Sequence, residues 1–206
     1  MLDLLSKGGL LVWPILICSL VGWFIFFQKL LVFRSAAGRK DGESVLIRLV
    51  NDGLIDQAKE FAAGHTPPRT RRLTAAERLL VEILGSEIKD RDTLEILLSH
   101  GVEREVRHLS GNLGTLAVLG NISPLLGLLG TVVGMIKAFM VVENMGGRVN
   151  ASLLAGGIWE AMLTTACGLI VAIPLMIFHN YLLGKLHLLQ SDLEEVAIRV
   201  IKGWPE

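Results

Sequence analysis

The sequence predicts an all-α membrane protein in which three transmembrane helices are joined to long helical cytoplasmic extensions. Three observations carry this. Of 206 residues, 51% are apolar and only 19% charged, against about 25% charged in a soluble domain. Three stretches nearly free of charge take up about 80 residues, and each is long enough to cross a hydrocarbon core about 30 Å thick. The apolar residues outside those stretches recur at helical spacing. Too little chain then remains for a separate catalytic core, which excludes a soluble enzyme. Twenty Lys and Arg balance 20 Asp and Glu, so no basic excess points to nucleic acid. Cys18 and Cys167 both lie inside apolar stretches and read as small membrane-embedded hydrophobes, not as a disulfide or a metal pair.

Residues 1–9 form a short outer N-terminus and 10–33 the first span, which contains the uncharged run 8–27. A cleaved signal peptide is the competing reading, but this run exceeds the usual apolar core of such peptides, and Lys29 and Arg34 follow it. Residues 34–111 form a cytoplasmic helical domain. Orientation follows Lys and Arg, and residues 34–112 carry 13 of them, while the N-terminal nine residues hold Lys7 and the loop 143–151 holds Arg148. Within this domain Val45, Ile47, Leu49, Val50, Leu54, Ile55, Ala58 and Phe61 mark two short amphipathic helices broken at Asp52-Gly53. Residues 65–68 are a turn or linker, followed by the basic cluster Arg69, Arg71 and Arg72. Thr74 and Glu77 fit a capping box opening a long helix with Leu79, Leu80, Ile83, Leu84 and Ile88 on one face. A further helix from about Thr93 runs into the second span, 112–142. The third span is 152–184, interrupted only by Glu160 and His179, and 185–206 is a cytoplasmic C-terminal helix that extends it.

Glu160 is the most informative residue. An ionisable carboxyl inside a span costs about 2.5–3.5 kcal/mol on insertion scales and as a rule faces a cavity or bundle interior. It therefore reads as a proton site, with a structural carboxyl paired to another side chain as the alternative. Thr164 lies about 40° around the helix from Glu160 and Thr165 about 140°, which favours Thr164 as the one sharing its face. Intramembrane threonines commonly bond the carbonyl one turn back, so spacing alone favours a structural role for both. Span two offers Thr131 within a run where Gly127, Gly130 and Gly134 recur at small-residue spacing, and span three has Gly157, Ala161, Thr164, Gly168 and Ala172. Both stripes predict close helix packing. Pro124 and Pro174 predict bends. Lys137 can snorkel from its end of span two, and His179 reads as an interfacial residue, with a proton relay as the alternative. There is no nucleophile elbow, phosphate loop or His-Glu-x-x-His, and the five histidines lack metal-ligand spacing. No metal and no organic cofactor is expected.

The runs Asn121-Ile-Ser-Pro-Leu-Leu-Gly-Leu-Leu-Gly-Thr-Val-Val-Gly-Met135 and Gly157-Ile-Trp-Glu-Ala-Met-Leu-Thr-Thr-Ala-Cys-Gly-Leu-Ile-Val-Ala-Ile-Pro174 resemble the MotA/TolQ/ExbB proton-channel family. The likeness covers roughly residues 112–185, and the three-span arrangement is similar to ExbB and TolQ rather than to the four-span flagellar stator MotA. The resemblance implies a homopentamer in the bacterial inner membrane, N-terminus periplasmic and C-terminus cytoplasmic. Spans two and three would line a central pore occupied by the single-span helices of an ExbD- or TolR-like dimer. Protons would be the coupling ion, carried chiefly by an aspartate on the partner, with Glu160, Thr131 and Thr165 around it. The work would go to a TonB- or TolA-like protein for outer-membrane transport or envelope maintenance, with lipid as the other neighbour. By motif the pore threonine of span three is Thr165; by helical angle it is Thr164; both stand. The competing function is a non-conducting helical membrane scaffold in which Glu160 pairs with a partner cation. An intramembrane enzyme is disfavoured, because no nucleophile, metal ligand or second carboxylate accompanies Glu160 in the spans.

Overall fold

The computed structural model describes residues 11–36, 41–64, 73–86, 90–144 and 151–204. The expected N-terminal segment 1–9, the turn at 65–68, the arginines at 69, 71 and 72, Ile88 and Arg148 lie outside the described residues. The described chain is helical with no strand: α1 (Val12–Ala36), α2 (Asp41–Asn51), α3 (Ile55–Gly64), α4 (Ala75–Gly85), α5 (Arg91–Ser110), α6 (Leu113–Asn144) and α7 (Ala151–Gly203). Three helical stretches are long and apolar enough to cross a membrane, Val12–Ala36, Arg91–Asn144 and Leu154–Gly203. The most apolar part of each is largely exposed in the single chain, with Trp13, Leu20, Phe24, Phe139, Met162 and Ile170 all bare. Such surface in a monomer needs lipid or another protein to cover it.

The chain divides into two compact units, residues 1–27 with 112–181, and residues 28–111 with 182–206. The first unit is built on α6 and α7. Their contacts run 138 to 157, 134 to 161, 130 to 164 and 123 to 168, so one number rises as the other falls and the helices are antiparallel. α1 joins them through an aromatic cluster: Phe26 stacks on Phe178 with ring centres 3.9 Å apart, and Trp23 meets Phe178 edge-on at 4.7 Å. Trp13 and Trp159 take no such part and are exposed. Pro124 and Pro174 sit inside α6 and α7, each of which continues as one helix through its proline.

The second unit packs α2 to α5 with the far ends of α1 and α7. The break between α2 and α3 falls at Gly53, whose φ of +73° lies in the left-handed region that glycine occupies without a Cβ penalty. α4 opens on the anticipated capping box: the Thr74 hydroxyl accepts from the Glu77 N–H at 3.1 Å, and the Glu77 carboxylate accepts from the Thr74 N–H at 2.9 Å. Both side chains are buried, so each bond satisfies a group that water cannot reach. Thr74→Ala should cost about 1–2 kcal/mol, checked by chemical unfolding of the detergent-solubilised protein. A loss below a few tenths would mean that packing alone holds the end of α4. The helix is shorter than the expected long one. Ser86 ends it with extended backbone, its hydroxyl donating to the Ile83 carbonyl at 2.7 Å.

Asp90 caps α5. The Thr93 hydroxyl at 2.7 Å and its N–H at 2.9 Å hold the Asp90 carboxyl below the ordinary aspartate range. Arg78 of α4 forks onto both Glu105 oxygens of α5 and also donates to the Leu73 carbonyl. Gly101 lets α5 press onto Leu79. Leu94, Leu98 and Leu109 of α5 and Leu182, Leu193 and Val200 of α7 are fully buried. α5 and α6 are separate helices: Gly111 caps the first and Asn112, at φ 65°, turns the chain.

Candidate ion-pathway site

The site rests on the antiparallel pair α6 and α7, and glycine sets its dimensions. A methyl group on Gly168 would lie 2.6 Å from the Ser123 carbonyl oxygen and 3.1 Å from Gly127 Cα, both backbone atoms that cannot swing aside. On Gly127 it would lie 2.9 Å from Thr165 Cα, on Gly134 2.8 Å from Ala161 Cβ, and on Gly157 2.7 Å from Ala138 Cβ. On Gly130 it would collide with the Thr164 side chain. Backbones this close exclude lipid and water from the seam and bring polar groups of one helix within reach of the other.

The two threonines use that proximity differently. Thr164 is 2% exposed, closed under Gly130, and its hydroxyl donates to the Glu160 carbonyl one turn back at 3.0 Å. Thr165 is half-buried and donates across the seam to the Gly127 carbonyl at 2.8 Å. That cross-helix bond was not readable from spacing, because a helical wheel gives an angle and no neighbour. Thr131 is half-buried and donates within its own helix to the Leu128 carbonyl at 2.6 Å. Ser123, wholly buried, donates to the Leu119 carbonyl. Every hydroxyl donor on the seam therefore has an acceptor, which is what a low-dielectric environment demands.

Glu160, an acceptor and not a hydroxyl donor, stands apart from them. It is half-buried on α7, and among the described residues no hydrogen bond or ion pair engages its carboxylate. The seam contacts of Gly157 with Ala138 and of Ala161 with Gly134 flank it, so its backbone is fixed. The structure thus brings Thr164 and Thr165 into the seam with Gly130 and Gly127, and leaves the Glu160 carboxylate without a described partner in its own chain. No described contact joins Glu160 to Thr131. No group of three or more His, Cys, Asp or Glu able to hold a metal occurs among the described residues.

Lys29, by sequence a charge flanking the first span, has a role that the sequence does not show. Its side chain is buried, and Nζ donates to the Leu109 carbonyl at the end of α5 at 3.0 Å. The last carbonyls of a helix lack intrahelical partners and carry partial negative charge, so an ammonium there satisfies one of them directly.

Residues 69–195 match the model of the MotA/TolQ/ExbB proton channel family. Among individual proteins, the chain is 31% identical over 193 residues to the biopolymer transport protein ExbB of Salmonella typhimurium, covering 91% of this chain and 77% of that protein. It is 31% identical over 181 residues to exbB1 of Vibrio cholerae, 84% of this chain and 74% of that one. The Tol-Pal system protein TolQ of Haemophilus influenzae is 34% identical over 91 residues, 44% of this chain and 40% of TolQ.

Proposed function

The chain belongs to the MotA/TolQ/ExbB proton channel family, and from that premise we propose that it is the proton-conducting subunit of an inner-membrane motor for biopolymer transport. The observation that carries the reading is the Glu160 carboxylate, set in an apolar span, half-exposed, and without a described partner in its own chain. An ionisable group inside a membrane is expensive and needs a counterpart or a proton. In this reading the counterpart comes from outside the chain. Five copies surround a pore lined by the second and third spans, and two single-span helices of an ExbD- or TolR-like protein stand within it. A membrane aspartate on that partner exchanges protons with a pathway to which Glu160, Thr131 and Thr165 contribute. The half-buried Thr165 fits a lumen-side position better than the enclosed Thr164. The N-terminus lies in the periplasm and the C-terminus in the cytoplasm, in keeping with the distribution of Lys and Arg. The exposed apolar residues of the spans are covered by neighbouring copies and by lipid. A TonB- or TolA-like protein takes up the mechanical work.

The reading is tested by purification from native membranes in mild detergent, native mass spectrometry, and proton flux in liposomes. Five copies with two of a small single-span protein, and flux only when that protein is present, are expected. A homo-oligomer without such a partner across several detergents, and no flux, would leave the non-conducting scaffold as the function.

A further inference from the structure

Within the second unit, α5 and the far end of α7 leave a groove of about 560 Å³ between them. Its floor is apolar, with Leu98, Val102 and Ala197 buried at the base. The charged residues on its rim are all carboxylates, Glu95 and Glu103 from α5 and Glu194 from α7, beside the neutral Ser99 and Gln190, and no Lys or Arg lines it. Glu103 shares its charge with Arg107 at 3.0 Å, and Glu194 accepts a bond from Gln190. Glu95 and Glu194 have no ion pair with a described Lys or Arg, so the groove is net acidic. Ile198, on its edge, is 53% exposed.

We propose that this groove binds the basic cytoplasmic flank of the single-span partner protein, a Lys/Arg-bearing amphipathic segment adjoining its membrane helix. The inference rests on the motor reading and deepens it by giving the partner a second contact. Its basis is charge complementarity. Short segments on the cytoplasmic side of a span carry an excess of Lys and Arg, so a partner helix passing through the pore ends in a basic stretch. α5 leads into the second span and α7 is continuous with the third, so the groove belongs to the same two strands of chain that line the pore in that reading. An amphipathic segment lays apolar side chains on Leu98, Val102 and Ala197 and directs its cations to Glu95 and Glu194, as helices docked in apolar grooves do. The rim charges then set orientation and encounter more than total affinity.

The test uses the intact complex. A photo-crosslinking amino acid is placed at Ser99, inside the groove, and at Leu97, on another face of α5. Membranes are irradiated, the complex is purified, and the adducts are sequenced. An adduct from Ser99, and not from Leu97, to a Lys/Arg-rich segment next to the span of a single-span protein is expected. Replacing the two rim carboxylates that have no ion pair with a described Lys or Arg, E95K with E194K, should lower its yield about tenfold, as should high salt. Both positions are exposed, so folding is retained; E95Q with E194Q, expected to give a smaller loss, guards against a gross effect of charge reversal. An adduct to a second copy of this chain, no adduct, or a yield indifferent to the rim charges, with the single-span protein still co-purifying, overturns the groove assignment and leaves the motor reading standing. A complex with no single-span protein at all overturns both.

Discussion

Glu160→Gln is expected to reduce partner-dependent proton flux in liposomes by more than about 100-fold, the scale on which a positioned proton-transfer group acts, while leaving the assembly intact. The amide has nearly the volume of the acid and hydrogen-bonding capacity of its own, but it cannot take up and release a proton. The contacts that hold this stretch of α7 do not involve the carboxylate. They are the seam contacts of Gly157 and Ala161 and the bond from Thr164 to the backbone carbonyl of residue 160, which survives the change. Unfolding free energy should therefore move by no more than about 0.5 kcal/mol, as for substitutions away from packed features. One proton crossing 100 mV releases about 2.3 kcal/mol, enough to bias a conformational step, so in the proposed motor work would accumulate over repeated cycles. Full flux from the Gln protein would make Glu160 a structural residue and remove the observation on which the proposed function rests.

The second large effect concerns packing. Gly168→Ala should destabilise the protein by about 2 kcal/mol, within the 1–3 kcal/mol range of overpacked cores, and lower the amount of assembled complex. The obstacle is backbone on both sides, the Ser123 carbonyl and Gly127 Cα, so relief requires the helices to separate. Separation would also lengthen the bond from Thr165 to the Gly127 carbonyl. Gly156→Ala provides the comparison: the same residue type in the same helix, with nothing within 4 Å of the added methyl. There the change should be neutral or stabilising by up to about 1 kcal/mol, because alanine is the better helix former. Thermal unfolding of the two variants side by side reads the difference. Equal stability would mean that α6 and α7 are not in tight contact at Ser123.

Much of the fold was legible because its causes are local. Uncharged runs announce the spans, the Thr74 and Glu77 pair announces the start of α4, and Asp52-Gly53 announces the break before α3. The end of α4 was not legible: Ile88 continues the apolar pattern of Leu80 and Leu84, and the stop is made by Ser86 bonding the Ile83 carbonyl. Nor was the turn at Asn112, a non-glycine residue with positive φ. At the site, sequence names the residues but not their partners. Glycine spacing marks a seam without its register, so it could not pair Gly130 with Thr164 or Gly127 with Thr165. Lys29 was invisible for a related reason. Hydropathy scores a lysine by its charge, and only the fold reveals that a carbonyl 80 residues later receives it.

That separation has a consequence for biogenesis. The first span leaves the ribosome before Leu109 exists, and at about 5–20 residues per second the intervening 80 residues take roughly 4–16 s to make. Until then the ammonium of Lys29 has no carbonyl to receive it and must keep its head among water and lipid headgroups, which its long stem allows. The bond that ties the first helix to the end of α5 therefore forms only after residue 109 has been made. A nascent chain stalled between these two points would contain a span that is already in the bilayer but not yet tied to α5.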